Sequence, residues 1–177
     1  SERVTHAELV ERAVRWLVGS QRCSPVCAEM MSFWNAPLAY SDPNRPCRSV
    51  APDAIGWQRD GSVCINVECK ASLADFYAER RKGVDFGEYR RFMSEPGIIR
   101  PELVQDGWGL LWCYPRQVRK VKPAPQRPVT VERYRAELRL LHEAAHRLFV
   151  RAPGGWTDRV HVCPLNEALT HEGEADV

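Results

Sequence analysis

The sequence places Asp53 directly after Pro52 at the head of one apolar run, and Glu68-Cys69-Lys70 at the tail of the next, "SVCINVECK". Side chains alternate between the two faces of a strand. Val63, Ile65, Val67 and Cys69 therefore point one way, and Ser62, Cys64, Asn66, Glu68 and Lys70 the other. Glu68 and Lys70 are neighbours on a face that turns polar, and toward solvent, at the strand's end. The intervening "QRDG" carries Asp60-Gly61, which suits a tight turn, and hairpin pairing across it brings Asp53 beside Glu68. Two carboxylates with main-chain carbonyls and water suit Mg²⁺, a hard ion that favours oxygen ligands and keeps several waters. Such an ion neutralises phosphate and acidifies water, while an adjacent ammonium stabilises charge developing at phosphorus. This is the chemistry of phosphodiester hydrolysis. The competing reading is an ion pair on a solvated strand end; for the catalytic reading, a lysine near solvent at a strand end contributes little to stability, so Lys70→Ala is expected to abolish cleavage and leave the fold intact.

The surrounding pattern supplies elements to hold these groups. Leu9, Val10, Ala13, Val14, Leu17 and Val18 recur at helical spacing over residues 5–19, with Thr5 as cap and Gly19 as stop. A short strand is expected near Val26 to Met31, then an irregular Pro-rich loop. "VAPDAIGW" and "SVCINVECK" read as an antiparallel pair. Ser72 and Asp75 mark the start of a helix running from about Leu73 toward Lys82 and ended by Gly83. Strands follow at "EYRRFM", "WGLLWCY" and "QVRKV", then a Pro-rich linker and a long helix from about Thr130 to Phe149. The acidic tail, 166–177, reads as frayed. The order predicts one α/β domain over residues 1–177, a mixed sheet sandwiched by helices.

The chain has 177 residues, 44% hydrophobic and 27% charged, with a net charge of +2. That neither demands nor excludes nucleic acid, since binding depends on a local patch. No apolar run approaches the ~20 residues of a membrane span, and Ser1 to Thr5 lacks the layout of a secretory signal, so a cytoplasmic protein is expected. The seven cysteines are scattered and read as reduced thiols. Cys23 and Cys27 with His161 and Cys163 form one candidate metal set, with nothing in the spacing to fix its geometry.

The stretches "ERAVRWL", "PDAIGW", "VECKAS.ADF", "PGIIRPE" and "GWGLL" together resemble a small phage and bacterial branch of the PD-(D/E)XK nuclease superfamily, over roughly residues 5–122. The resemblance implies a restriction-endonuclease-like fold, a mixed central sheet flanked by helices. It implies Mg²⁺ or Mn²⁺ held by Asp53, Glu68 and the carbonyl of Cys69, with Lys70 positioning the attacking water. It also implies a further acidic residue from the first helix, Glu8 or the better-placed Glu11, or from the first strand, where Glu29 stands. The implied substrate is nucleic acid, DNA before RNA, with a homodimer or protein partner as a further expectation. "EYRRFMSEPG" departs from the pattern in its arginines. A descendant that binds nucleic acid or protein without turnover is the alternative.

A rival signature lies in "LLHEAAHRLF", where His142, Glu143 and His146 match the HExxH pattern of zinc metalloproteases on a helix. On helical spacing Tyr134, Leu138, Leu141, Ala145 and Leu148 form the apolar stripe, and the histidines continue the line of Arg135 and Arg139. Cations in that line oppose Zn²⁺, and no third ligand follows at a familiar distance, although His161, Glu167 and His171 are available. A solvated face, or an edge that contacts phosphate, competes with the protease reading. Further cations cluster at Arg80, Arg81 and Lys82, at Arg90 and Arg91, and at Arg116, Arg119, Lys120 and Lys122, where they can neutralise phosphates or simply meet water. Trp57, Trp108 and Trp112 are expected in the core rather than as stacking platforms.

Overall fold

The computed structural model describes residues 3–28, 52–79, 86–150 and 160–161, leaving aside the side chains of 79, 143, 146–150 and 160–161. The first element is the helix α1 (His6–Gly19), opened by a full capping box. Thr5 Oγ1 accepts from the Glu8 N–H, and the Glu8 carboxylate accepts from the Thr5 N–H at 2.7 Å. Glu8 is thereby committed to the cap, and its carboxyl is held below the usual carboxylate range by these bonds. Leu9, Val10, Ala13, Trp16 and Leu17 form the buried face.

Among the described residues seven strands follow: β1 (Cys23–Ala28), β2 (Ala54–Gln58), β3 (Cys64–Cys69), β4 (Tyr89–Ser94), β5 (Gly109–Cys113), β6 (Val118–Lys122) and the two-residue β7 (Val160–His161). Their order in one sheet is β6-β5-β4-β3-β2-β1-β7. β3, β4 and β5 run parallel to one another, and all other pairs are antiparallel. The parallel step from β3 to β4 needs a crossover, supplied in part by helix α2 (Leu73–Glu79). Asp75 N–H donates to the Ser72 hydroxyl at 3.1 Å, as expected of that cap. The strand expected near Val26 begins earlier, at Cys23; residues 29–31 lie outside the described ones, as do Gly83 and the tail 166–177.

The sheet is covered on both faces. α1 packs on one, where Leu9, Ala13 and Leu17 meet Ile65, Val67, Met93 and Leu111. On the other, Phe76 of α2 packs edge-on against Phe92, which stacks on Trp108 at 4.3 Å between centroids. Farther along that face Leu140 and Ala144 of helix α3 (Val131–Val150) cover Ile55, Trp57 and Cys64.

α3 corrects the expected apolar stripe. Tyr134 and Leu138 are 62% and 56% exposed, whereas the face against the sheet carries Arg133, Glu137, Leu140 and Ala144. The buried charges are tolerated because they are partnered. Arg133 Nη1 donates to Pro128 O at 2.7 Å, its Nε lies 3.4 Å from Glu137, and Glu137 accepts the Gly87 N–H at 2.9 Å. Burial pushes the Glu137 carboxyl above its ordinary value, against the lowering by the Gly87 N–H and Arg133.

Packing is close where β1 pairs with β2. A Cβ on Gly56 would sit 2.8 Å from Cys23 Cβ and 3.1 Å from Val26 Cγ2. Gly56→Ala is therefore expected to cost about 1–3 kcal/mol by overpacking. Urea unfolding would show this as a lower midpoint at unchanged slope; an unchanged midpoint would mean that β1 yields freely.

Candidate active site

The hairpin register makes the site. Ala54 pairs with Val67 and Ile55 with Asn66, so Asp53, one residue before the first pair, stands across from Glu68, one residue after it. β2 begins later than its apolar run because Pro52 has no N–H to give the ladder and Asp53 uses its side chain instead: Oδ2 accepts the Cys69 N–H at 2.7 Å. The polypeptide beyond β3 is fixed in turn by the Lys70 N–H, which donates to Met93 O at 2.8 Å.

These constraints bring three charges together. Lys70 Nζ lies 3.8 Å from Asp53 Oδ2 and 3.9 Å from Glu68 Oε2, bridging the two carboxylates. The expectation of a solvated strand end is wrong: Glu68 and Lys70 are each only 2% exposed. β3 is enclosed by strands on both sides and by helices on both faces, so its polar end lies inside the protein. The ammonium and the Glu68 carboxylate thus meet in a place shielded from water, where electrostatic interactions are strong. Asp53 provides the opening, with 18% of its side chain exposed.

A fourth group was missed from the sequence. His6 Nε2, on the first residue of α1, lies 3.5 Å from Asp53 Oδ1, with 41% of its side chain exposed. The signal available was its place at a helix start, which also sets the positive end of the helix dipole toward the carboxylate. Beside the cluster, Arg3, Ala71, Ser72, Leu73, Glu95 and Ile98 line an open depression of about 440 Å³.

Among the described residues no group of three or more His, Cys, Asp and Glu side chains is arranged to hold a metal ion. To a cation, Asp53 and Glu68 would offer two carboxylates, with main-chain oxygen and water to complete the set. This fits a hard divalent ion that keeps several waters and does not fit tetrahedral zinc. The Cys69 thiol is pushed well up by burial and then by the Asp53 and Glu68 carboxylates, so this residue can offer a carbonyl but not a thiolate.

The remaining expected groups are dispersed. Glu11 is exposed, paired with Arg15, and lines a different cleft with Arg12, Trp16 and Tyr114. Glu29 lies outside the described residues. Arg90 and Arg91 do not form one patch, because adjacent strand residues take opposite faces: Arg90 lies over Trp108 at 4.7 Å, and Arg91, 7% exposed, lies near Trp16. Arg119 and Lys120 are exposed on the edge strand β6. Arg80, Arg81 and Lys82 lie outside the described residues. Trp57 and Trp108 are buried, and Trp112 is half-buried with its indole N–H donating to Ile99 O at 3.0 Å. None of the three is a free stacking platform.

The two zinc alternatives fare differently. Cys23 belongs to the core under α1 and Cys27 to the core under α3, on opposite faces of the sheet, so they cannot share an ion. Burial raises both thiols to about 11. Cys163 lies outside the described residues, as does the side chain of His161. In the HExxH stretch His142 is exposed, and the side chains of Glu143 and His146 lie outside the described ones.

No helix among the described residues is long and apolar enough to cross a membrane. No family model matches the chain, and no curated protein matches it. Among solved structures it is similar to the SPO1766 protein of unknown function from Silicibacter pomeroyi, with a TM-score of 0.59 and 19% identity, over 89% of this chain and 99% of that one. At that identity the likeness is one of fold: this is an α/β protein built on a mixed sheet with flanking helices.

Proposed function

We propose that the protein is a metal-dependent nuclease of the restriction-endonuclease-like, PD-(D/E)XK type, hydrolysing phosphodiester bonds of DNA. The observation that carries this reading is the convergence of Asp53, Glu68 and Lys70, within 3.8 and 3.9 Å, at the C-terminal end of the central strand β3. Asp53 and Glu68, with the Cys69 carbonyl, would hold Mg²⁺ or Mn²⁺. Bound there, the ion would supply charge neutralisation at the phosphate and a more acidic water.

The chain's own groups do the rest. Asp53, tied to the Cys69 N–H, keeps its carboxylate at a fixed height relative to Glu68. Lys70 is buried, and its ammonium lies between the carboxylates, where it would orient a water and face charge developing on a phosphate. Enclosure strengthens both effects. The exposed cations Arg116, Arg119 and Lys120 are available to phosphates farther along a strand.

The burial of Glu68 and Lys70 also favours a second reading, a protein that keeps this fold and binds nucleic acid or a protein without turnover. One experiment separates the two. Plasmid, linear, single-stranded and branched DNA are incubated with Mg²⁺, Mn²⁺ or EDTA. Cleavage is expected with either ion and none with EDTA; tight binding in EDTA with no cutting under any condition would move the conclusion to the second reading.

A further inference from the structure

Asn66 stands one pleat before Glu68 on the face shared by Cys64, Glu68 and Lys70. It is fully buried, and neither its Oδ1 nor its Nδ2 has a hydrogen-bond partner among the described residues. A carboxamide in that condition is costly, because both polar ends have lost water and gained nothing in return. An apolar side chain would suit the fold better: the cross-strand partner on β2 is Ile55, and Cys64 precedes it in the same row. The chain entering β4 closes over its root, since a Cβ on Gly87 would lie 2.8 Å from both Asn66 Cβ and Asn66 N. Its register partner on β4 is Arg90, whose guanidinium lies over Trp108, and the next residue on this face of β3 is Glu68. Same-face residues on a strand lie roughly 6–7 Å apart, a gap that one water spans with ordinary hydrogen bonds at each end.

We propose that Asn66 is a positioning residue of the cation site: its carboxamide holds a water shared with Glu68 and so fixes the rotation of that carboxylate toward Asp53. The inference rests on the nuclease reading and names the group behind one of its two acidic ligands. Nδ2–H donates to the water oxygen, and the water donates to Glu68. Buried polar groups of this kind are satisfied by water where the site is polar, and a partner behind a metal ligand tunes the ligand's affinity.

The test is Mn²⁺ titration of the full chain, followed by electron paramagnetic resonance, together with the metal-free melting temperature. Asn66→Val and Asn66→Ser are compared with wild type and Asp53→Asn. Asn66→Val is expected to weaken Mn²⁺ binding about 10–100-fold while holding or raising the melting temperature, and Asn66→Ser, which keeps a hydroxyl for the water, to recover most of the affinity. A side chain with only a structural role would not move the Mn²⁺ curve. If Asn66→Val binds Mn²⁺ as wild type does while Asp53→Asn does not, the inference falls and the cation site stands. If wild type shows no Mn²⁺ binding that Asp53→Asn removes, both fall. Should the valine variant fail to fold, Asn66→Ala against Asn66→Ser reads the same difference, with equal affinities counting against the proposal.

Discussion

Lys70→Ala is expected to lower the stability of the metal-free protein by about 3–5 kcal/mol at pH 7 and to reduce DNA cleavage by about 10²–10³-fold. The first effect follows from geometry alone. The ammonium lies between Asp53 and Glu68 at 3.8 and 3.9 Å, and it is 2% exposed. Its removal leaves two like charges facing each other in an enclosed site, with Glu68 also 2% exposed. Mg²⁺ should restore stability by replacing the lost positive charge. Urea unfolding at pH 7, with and without Mg²⁺, checks both points; a loss under about 1 kcal/mol, the range of a surface pair, would show that the cluster is not electrostatically closed.

The legible part of the site was its register. Alternation along "SVCINVECK", the Asp60-Gly61 turn and the position of Asp53 before the first apolar residue of β2 determine which side chains meet, and these are local properties. The turn is built as read, with Gly61 at φ +69° and Asp60 Oδ1 accepting from the Ser62 N–H at 2.9 Å. Burial was not legible, because it depends on what lies over the strand. Glu68 and Lys70 look like a solvated end in isolation and are enclosed only because β4 runs parallel beside β3 and helices cover both faces. The same holds for α3. There Arg133 is partnered by the carbonyl of Pro128, five residues back, and Glu137 by the N–H of Gly87, 50 residues away. His6 reaches Asp53 only through the packing of α1 across the sheet, which no short spacing encodes.

Asp53→Asn separates the electrostatic role of this residue from its structural one, and its expected signature is the reverse of Lys70→Ala. The carboxamide oxygen can still accept the Cys69 N–H, now at 2.7 Å from Oδ2, so the entry into β2 should be retained. The Lys70 ammonium keeps its Glu68 partner at 3.9 Å. Metal-free stability should therefore be unchanged within about 0.5 kcal/mol, or slightly raised. Cation affinity should fall by roughly two decades, because one of only two acidic ligands is neutral. Wild type at Mg²⁺ a hundredfold above its dissociation constant gains about 2.7 kcal/mol of stability by mass action, and the variant under the same conditions should gain almost none. Melting temperatures across a Mg²⁺ series provide the comparison, with cleavage measured in parallel. Equal Mg²⁺ stabilisation of variant and wild type would place any cation elsewhere and remove the basis for assigning the chemistry to this cluster. A collapse of metal-free stability would instead show that Asp53 is held there for the sheet, as the acceptor that starts β2, and that its charge serves the fold.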